Sequence, residues 1–230
     1  MSTFDTLMDT YKSGIKDLLS PLKFLLDIFS NFWISLGFIS IVFISLLLYC
    51  IIIRKDKFRE HLKHPDVLAI CSLMMALNIV LGYFTIQFSA YLRIGFGFMT
   101  QPIIAIFFGP LVACVTGIIQ DIISLLLRPT GPYNPIYSLS IGISAIMYGM
   151  MLYKKNPSFM RILLTKLLVI IVGNIIFNSI ALAPTVGSGL IGILPSRLLK
   201  NIILFPIQTV IVYIVLKFVK KLKYTKKFDA

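Results

Sequence analysis

Charged residues are scarce in this chain, and their scarcity argues against a soluble fold. Asp, Glu, Lys and Arg make up only 13% of the 230 residues, which is about half the fraction usual in soluble domains. Hydrophobic residues instead make up 58%, and the mean hydropathy is +0.93. This composition indicates a protein that crosses a membrane several times.

Sequence motifs for catalysis and metal binding are also missing. The chain has neither a Walker motif for ATP nor a nucleophile elbow. Its three cysteines, Cys50, Cys71 and Cys114, lie in apolar runs without metal-ligand spacing, and its two histidines lie in a short charged stretch. We therefore predict that the protein is not an enzyme and holds no metal and no cofactor of its own.

Long apolar segments are the main feature that is present. A helix needs about 20 mostly apolar residues to cross a bilayer. Segments that meet or approach this length are 31–53, 66–89, 94–109, 111–128, 135–153, 160–183 and 197–217. We predict an all-α integral membrane protein with these spans. The other parts are an amphipathic segment at 1–30, a basic linker at 54–65 and a basic tail at 218–230.

The distribution of basic residues predicts the orientation. The net charge of +13 would suggest nucleic-acid binding in a soluble protein. Here the basic residues flank apolar segments, which favours contact with anionic lipids and argues against a nucleic-acid partner. If all seven segments cross the membrane, three basic regions fall on the same side. They are the linker, the tail and the connection with Lys154, Lys155, Arg161 and Lys166. The positive-inside rule makes that side cytoplasmic in the cell membrane, with the N-terminus outside.

Four basic residues fall on the opposite, outer side of this predicted topology. They are Arg93, Arg128, Arg197 and Lys200, and they come from three different connections. Basic residues on the side where the rule disfavours them suggest an anionic ligand. The alternative is that they snorkel to lipid phosphates or cap helix ends.

Asp121 is the only acidic residue in the interior of a predicted span. Ionisable groups in that position usually face a cavity or a partner. Asp121 could accept hydrogen bonds from a ligand, or it could pair with Arg128 or with an amide of another helix.

Amides and rings supply the remaining candidates for ligand binding. Amides in helical spans form interhelical hydrogen bonds by default, and rings near a membrane surface often form an aromatic belt. We nevertheless include both kinds because they lie near the predicted outer pocket; they are Gln101, Asn178, Phe98, Tyr133 and Tyr137.

Small residues in the second apolar segment predict a surface for close helix contact. Ala69, Ser72 and Ala76 lie near one helical face. Such faces allow backbones to approach closely, either within the protein or against a partner helix.

Four stretches carry a resemblance to a known family. They are Ala76–Gly82; Arg93–Phe98 with Phe108-Gly109-Pro110; Asp121–Pro135 with Tyr148-Gly149; and Leu194–Asn201 with Pro206. Together they make 66–217 resemble the substrate-binding S component of energy-coupling factor (ECF) vitamin transporters, most of all the folate-specific type. The first apolar helix, 31–53, lies outside that six-helix core.

The resemblance implies a division of labour between subunits. An S component binds its vitamin, here folate, near the outer face and delivers it inward by reorienting in the membrane. A transmembrane coupling protein and two cytoplasmic ATPases form the energising module, so ATP is used by the partners. The Ala69–Ser72–Ala76 face would dock to the coupling protein.

Two alternatives stay open at this point. Folate-type members often have an arginine near the end of the first core helix, where this chain has Gly82-Tyr83. That difference favours another water-soluble vitamin or precursor. A membrane scaffold or assembly protein, whose outer basic residues contact only lipid or protein, is the alternative from a different class.

Overall fold

Helices make up nearly all of the described fold. A computed structural model describes residues 31–84, 86–87, 93–128, 133–181 and 189–221. The α-helices are α1 (Phe32–Lys63), α2 (Pro65–Tyr83), α3 (Thr100–Leu127), α4 (Pro135–Leu152), α5 (Phe159–Val169) and α6 (Gly189–Lys221). A π-helix, Ile170–Phe177, continues α5, and a 3-10 turn, Gly97–Met99, leads into α3. Two short antiparallel strands, β1 (Ile86–Gln87) and β2 (Arg93–Ile94), pair between α2 and α3.

Within the described ranges, 6 helical segments are long and apolar enough to cross a membrane. The sequence predicts seven because it counts the two parts of α3 separately: the predicted spans 94–109 and 111–128 correspond to the parts before and after Gly109, where two helices meet within the continuous stretch Gly97–Leu127. The predicted basic linker 54–65 is largely helical, because α1 continues to Lys63. The predicted segment 1–30 and the part of the basic tail beyond residue 221 lie outside the described residues.

Helix α3 folds back on itself at Gly109. This residue has φ 85° and ψ −177°, a conformation that glycine adopts without a Cβ clash and that proline at the next position tolerates. In the first arm, Nε2 of Gln101 lies 3.0 Å from where a Cβ would stand on Gly117 of the second arm. A straight helix would separate these two residues by about 24 Å. The arms therefore run side by side as a hairpin.

Helix α4 packs closely against this hairpin. A Cβ on Gly149 would overlap the backbone of Pro110, so the contact requires a residue without a side chain. Ile104, Ala113 and Ala145 are fully buried around the same contact. Burial of such apolar side chains contributes about 25 cal/mol per Å² to folding in water, whereas in lipid it is this close packing that holds helices together.

Helix α1 is also packed into the bundle. Ile39 is 0% exposed and forms a cluster with Ile136, Ile143 and Phe177. The ring of Phe43 comes within 2.8 Å of the Cβ position of Gly142 on α4. The other face of α1, with Ile52 81% exposed, has the apolar character that lipid contact requires.

The two ends of the bundle differ in character. At one end, which we call the basic end, the Lys220 ammonium donates to the carbonyl of Lys155 at 3.1 Å. At the opposite end, Asn134 Nδ2 donates to the carbonyl of Ala181 at 2.9 Å. We call this opposite end the mouth; it also includes Gly82 and Arg128, which contact each other.

Candidate functional site

Asp121 is held by a hydrogen-bonded chain that reaches from α3 to the start of α4. Ser138 Oγ donates to Asp121 Oδ2 at 2.6 Å. The Tyr133 hydroxyl lies 3.2 Å from Ser138 Oγ and can donate to it in turn. Asp121 is half-buried below the mouth. Among the described residues its partner is a hydroxyl, and not the Arg128 guanidinium or the amide that the sequence left open.

Arg128 is engaged with the end of α2. Its Nη1 donates to the carbonyl of Gly82 in the last turn of the helix, where carbonyls commonly accept hydrogen bonds from side chains. The guanidinium carbon also lies 5.8 Å from the centre of the Tyr83 ring. For this residue, the structure supports the capping alternative.

Arg197 joins α6 to α4 and to the π-helix. Its Nη1 donates to the carbonyl of Asn174 at 3.2 Å, and its side chain hydrogen-bonds with Tyr137. Asn178 Nδ2 donates to Asn174 Oδ1 at 3.2 Å. Arg197 Nε and Asn178 Oδ1 are buried and have no partner among the described residues. Sequence reasoning placed Arg197, Tyr137 and Asn178 in one region. In the structure Tyr137 hydrogen-bonds with Arg197 directly, and Asn178 is joined to Arg197 through Asn174.

Two further amides point unsatisfied groups into the bundle. Neither Oε1 nor Nε2 of Gln101 has a partner among the described residues, and the same holds for Oε1 of Gln120, which is 7% exposed. An unpartnered buried polar group costs about 1–3 kcal/mol. Several such groups in one half of a bundle are the pattern expected when a polar ligand supplies the missing partners.

Lys166 is placed very differently from the sequence expectation. We counted it among the basic residues of a loop, but it lies on α5 and is 3% exposed. Its ammonium is 5.0 Å from the centre of the Phe98 ring. The loop prediction was wrong because α5 begins at Phe159, before both Arg161 and Lys166, which lie little more than one helical turn apart. Its position inside the apolar run 162–172 was the available signal.

The other predicted site residues lie near these buried polar groups but do not all contact them. Lys200 is half-buried on α6, one turn beyond Arg197. Arg93 is in β2, and its side chain lies outside the described part of the structure. Tyr133 is 53% exposed beside the mouth. Ser138 was missed, because a serine in an apolar helix has no sequence signal until its partner is known.

The small residues of α2 form an uncovered surface. Ala69, Ser72 and Ala76 are all exposed. Ser72 Oγ donates to the carbonyl of Ala69 at 2.9 Å, so its polar group is satisfied within its own helix. Helix α1 packs instead on the side of α4 and the π-helix, and therefore leaves this surface open.

Comparison with known proteins gives matches to one family. A family model described as "ECF transporter, substrate-specific component" matches residues 66–216. The "Folate transporter FolT" of Clostridium novyi is 31% identical over 166 residues, covering 72% of this chain and 96% of that protein. The protein of the same name from Leuconostoc mesenteroides is 30% identical over 151 residues, covering 63% and 81%.

A solved structure agrees with these sequence matches. The crystal structure of FolT bound with folic acid matches with a TM-score of 0.62 and 29% sequence identity, over 66% of this chain and 93% of that chain. The matched span begins after α1, so α1 precedes the region shared with the family. The resemblance inferred from the sequence is confirmed, and with it the multi-pass membrane character and the non-enzymatic transport role. This chain belongs to the family of substrate-specific components of ECF transporters.

Proposed function

We propose that this protein is a folate-binding S component. The observation that supports this most directly is its similarity to FolT of Clostridium novyi, because the aligned region covers 96% of that protein. The chemistry of the buried groups is compatible with the proposal. Folate combines a flat pterin ring, which has an amino-amide edge, with a tail that carries carboxylates.

We assign the ring and the tail to different parts of the site. The carboxylate of Asp121, oriented by Ser138, suits the amino and N–H groups of the pterin edge. The unpartnered Nε of Arg197, together with Lys200 and Arg93 on the same side, suits the tail carboxylates. Phe98, Tyr133 and Tyr137 would contact the flat parts of the ligand, as aromatic side chains do in many small-molecule sites.

We also propose the orientation and the partners. The basic end, where Lys220 contacts the chain at Lys155, would face the cytoplasm of the cell by the positive-inside rule. The mouth would then face outward and admit folate. A transmembrane coupling protein would dock on the exposed Ala69–Ser72–Ala76 surface, and two ATPases bound to it would use the ATP. Surrounding lipids would contact the exposed apolar faces.

A different vitamin is the second candidate, since Gly82-Tyr83 replaces an arginine common in the folate type. The structure supplies a physical argument against giving this difference much weight. Arg128 brings a guanidinium from α3 onto the Gly82 carbonyl and the Tyr83 ring. The same end of α2 is therefore provided with an arginine from another helix.

Calorimetry on the purified protein in detergent, without nucleotide, tests the proposal. We expect folic acid to bind tightly, and riboflavin, thiamine and biotin to give no heat at the same concentration. Tight binding of one of these vitamins with no response to folic acid would disprove the substrate assignment. Uptake in cells that lack every ATPase partner would disprove the proposed mechanism.

A further inference from the structure

Lys166 is a buried cation without a counter-ion among the side chains that the structure describes. Its side chain is 3% exposed, and no carboxylate among the described side chains lies within ion-pair distance of it. The Phe98 ring, 5.0 Å from the ammonium, is a weak electrostatic partner. Burying a charge inside a membrane bundle costs more than this one contact returns, and such a charge usually marks a functional site.

Gln101 lies near the same depth in the bundle. On the two arms of α3, Gln101 is counted from Gly109 and Gly117 from Pro110, and on α5 Lys166 is counted from Phe159. At the rise of a helix, each of these residues lies about 10–12 Å above the basic end. Phe98 precedes Gln101 by one helical turn on the first arm of α3. We call Phe98, Gln101 and Lys166 the floor cluster. The Lys166 ammonium lies over the Phe98 ring, and Gln101 contributes an unpartnered amide at a similar depth.

We propose that the floor cluster receives the ring of the substrate, with Lys166 donating a hydrogen bond to an acceptor atom of the ring's amide edge. The proposal rests on the function proposed above and extends it by a specificity-determining residue. A pterin edge presents amino and N–H donors beside a carbonyl oxygen. Asp121 can accept only from the donors, so the carbonyl needs a donor, and the Lys166 ammonium is one. Gln101 can donate or accept beside it.

In this arrangement the ring of the substrate enters the site before the tail. The tail carboxylates then remain near the mouth, where Arg197 has its unpartnered Nε. Removing Lys166 should therefore weaken binding of the ring itself, whether or not a tail is attached. It should also relieve the empty protein of an unpaired buried charge, so that the variant without ligand becomes more stable.

Calorimetry with three ligands tests this inference on the variants Lys166→Met and Lys166→Arg. The ligands are folic acid, 6-hydroxymethylpterin as the ring alone, and p-aminobenzoyl-glutamate as the tail alone. We expect Lys166→Met to raise the Kd of folic acid and of the pterin by the same factor, about 10- to 100-fold. Lys166→Arg should restore part of the affinity. Without ligand, Lys166→Met should melt at a higher temperature than the natural protein.

Lys217→Met is the matched control, because the Lys217 ammonium lies 5.4 Å from the Tyr213 ring on the exposed part of α6. It should leave every Kd unchanged. A Lys166→Met variant that binds folic acid normally, or that melts lower and binds all ligands normally, contradicts the inference. A loss confined to folic acid and the tail compound would overturn the ring assignment. If the natural protein binds neither folic acid nor the pterin, the proposed function fails instead.

Discussion

Ser138 on α4 donates a 2.6 Å hydrogen bond to Asp121 on α3. The bond joins two helices below the mouth and fixes the direction in which the carboxylate faces. It changes the interpretation of an acidic residue that, by sequence alone, could equally have been paired with a cation. A carboxylate held by one hydroxyl keeps most of its hydrogen-bonding capacity, because it can accept about four bonds.

The first prediction concerns this pair. Asp121→Asn should raise the Kd of folic acid about 10- to 100-fold, the usual effect of losing a hydrogen bond to a charged group. Ser138→Ala should have a smaller effect, about 3- to 10-fold, since the carboxylate remains but is less well oriented. Calorimetry measures both. Thr209→Val is the control, because the Thr209 hydroxyl bonds within its own helix at 2.7 Å. Equal affinities in all three variants would exclude Asp121 from the site.

The second prediction separates the roles of two arginines. Arg128→Ala should lower the melting temperature, because it removes the donor to the Gly82 carbonyl and the contact with Tyr83; we expect a loss of about 1–2 kcal/mol. Arg197→Ala should mainly weaken folate binding, since part of its guanidinium is unpartnered. Thermal unfolding and calorimetry on each variant give the comparison. If Arg128→Ala changes only the Kd, Arg128 is a ligand-binding residue and not a helix cap.

The third prediction concerns the close packing of α4 on the α3 hairpin. Gly149→Ala should destabilise the protein strongly, by about 2 kcal/mol or more, since the added methyl would overlap the Pro110 backbone. Gly109→Ala should cost about 1–2 kcal/mol, because its positive φ disfavours a Cβ. In α1, a Cβ on Gly37 would meet nothing within 4 Å, so Gly37→Ala should be neutral or slightly stabilising. Thermal melting in detergent would test this order, and equal melting temperatures would contradict the hairpin packing.

The fourth prediction concerns the uncovered surface of α2. Ser72→Phe should reduce folate uptake in cells by more than about 10-fold, since a bulky ring prevents close helix contact. The Kd of the purified protein should stay within about 2-fold, because Ser72 is exposed away from the buried polar groups. Ser45→Phe is the matched control, because Ser45 is an exposed serine on the lipid-facing side of α1. Normal uptake by Ser72→Phe would show that the coupling protein docks elsewhere.

Much of the fold could be predicted from the sequence because the bilayer imposes a simple length rule. Helix α4 lies close to its predicted span for this reason. The predicted end of α2 was wrong, because the helix ends at Tyr83 and Ile86–Gln87 form a strand, and α6 begins earlier than predicted, at Gly189. The two arms of the α3 hairpin correspond to the predicted spans 94–109 and 111–128, and the turn between them lies at the predicted break, Gly109. The end of the first helix could not be predicted, because basic residues do not end a helix; α1 continues through the basic linker to Lys63.

The site was predictable in part. Lone polar residues in apolar runs, such as Asp121 and Gln101, attract attention in any membrane sequence. Ser138, the partner of Asp121, did not, because it acquires its role only through a contact across helices. The π-helix at Ile170–Phe177 adds a further difficulty. It changes which face Asn174 and Asn178 share, and a regular 3.6-residue period cannot anticipate that change.

The length of the first α3 arm determines how far a bound ring would have to travel. From Gly97 to Phe108 the arm rises about 18 Å, whereas the hydrocarbon core of a bilayer is about 30 Å thick. A ring resting on Phe98 would therefore already be about 12 Å inside the membrane. About 18 Å of the hydrocarbon core would then remain below it, in the protein layer closed by Gly149 against Pro110. Transport under the proposed function would require the bundle to open or tilt past this layer.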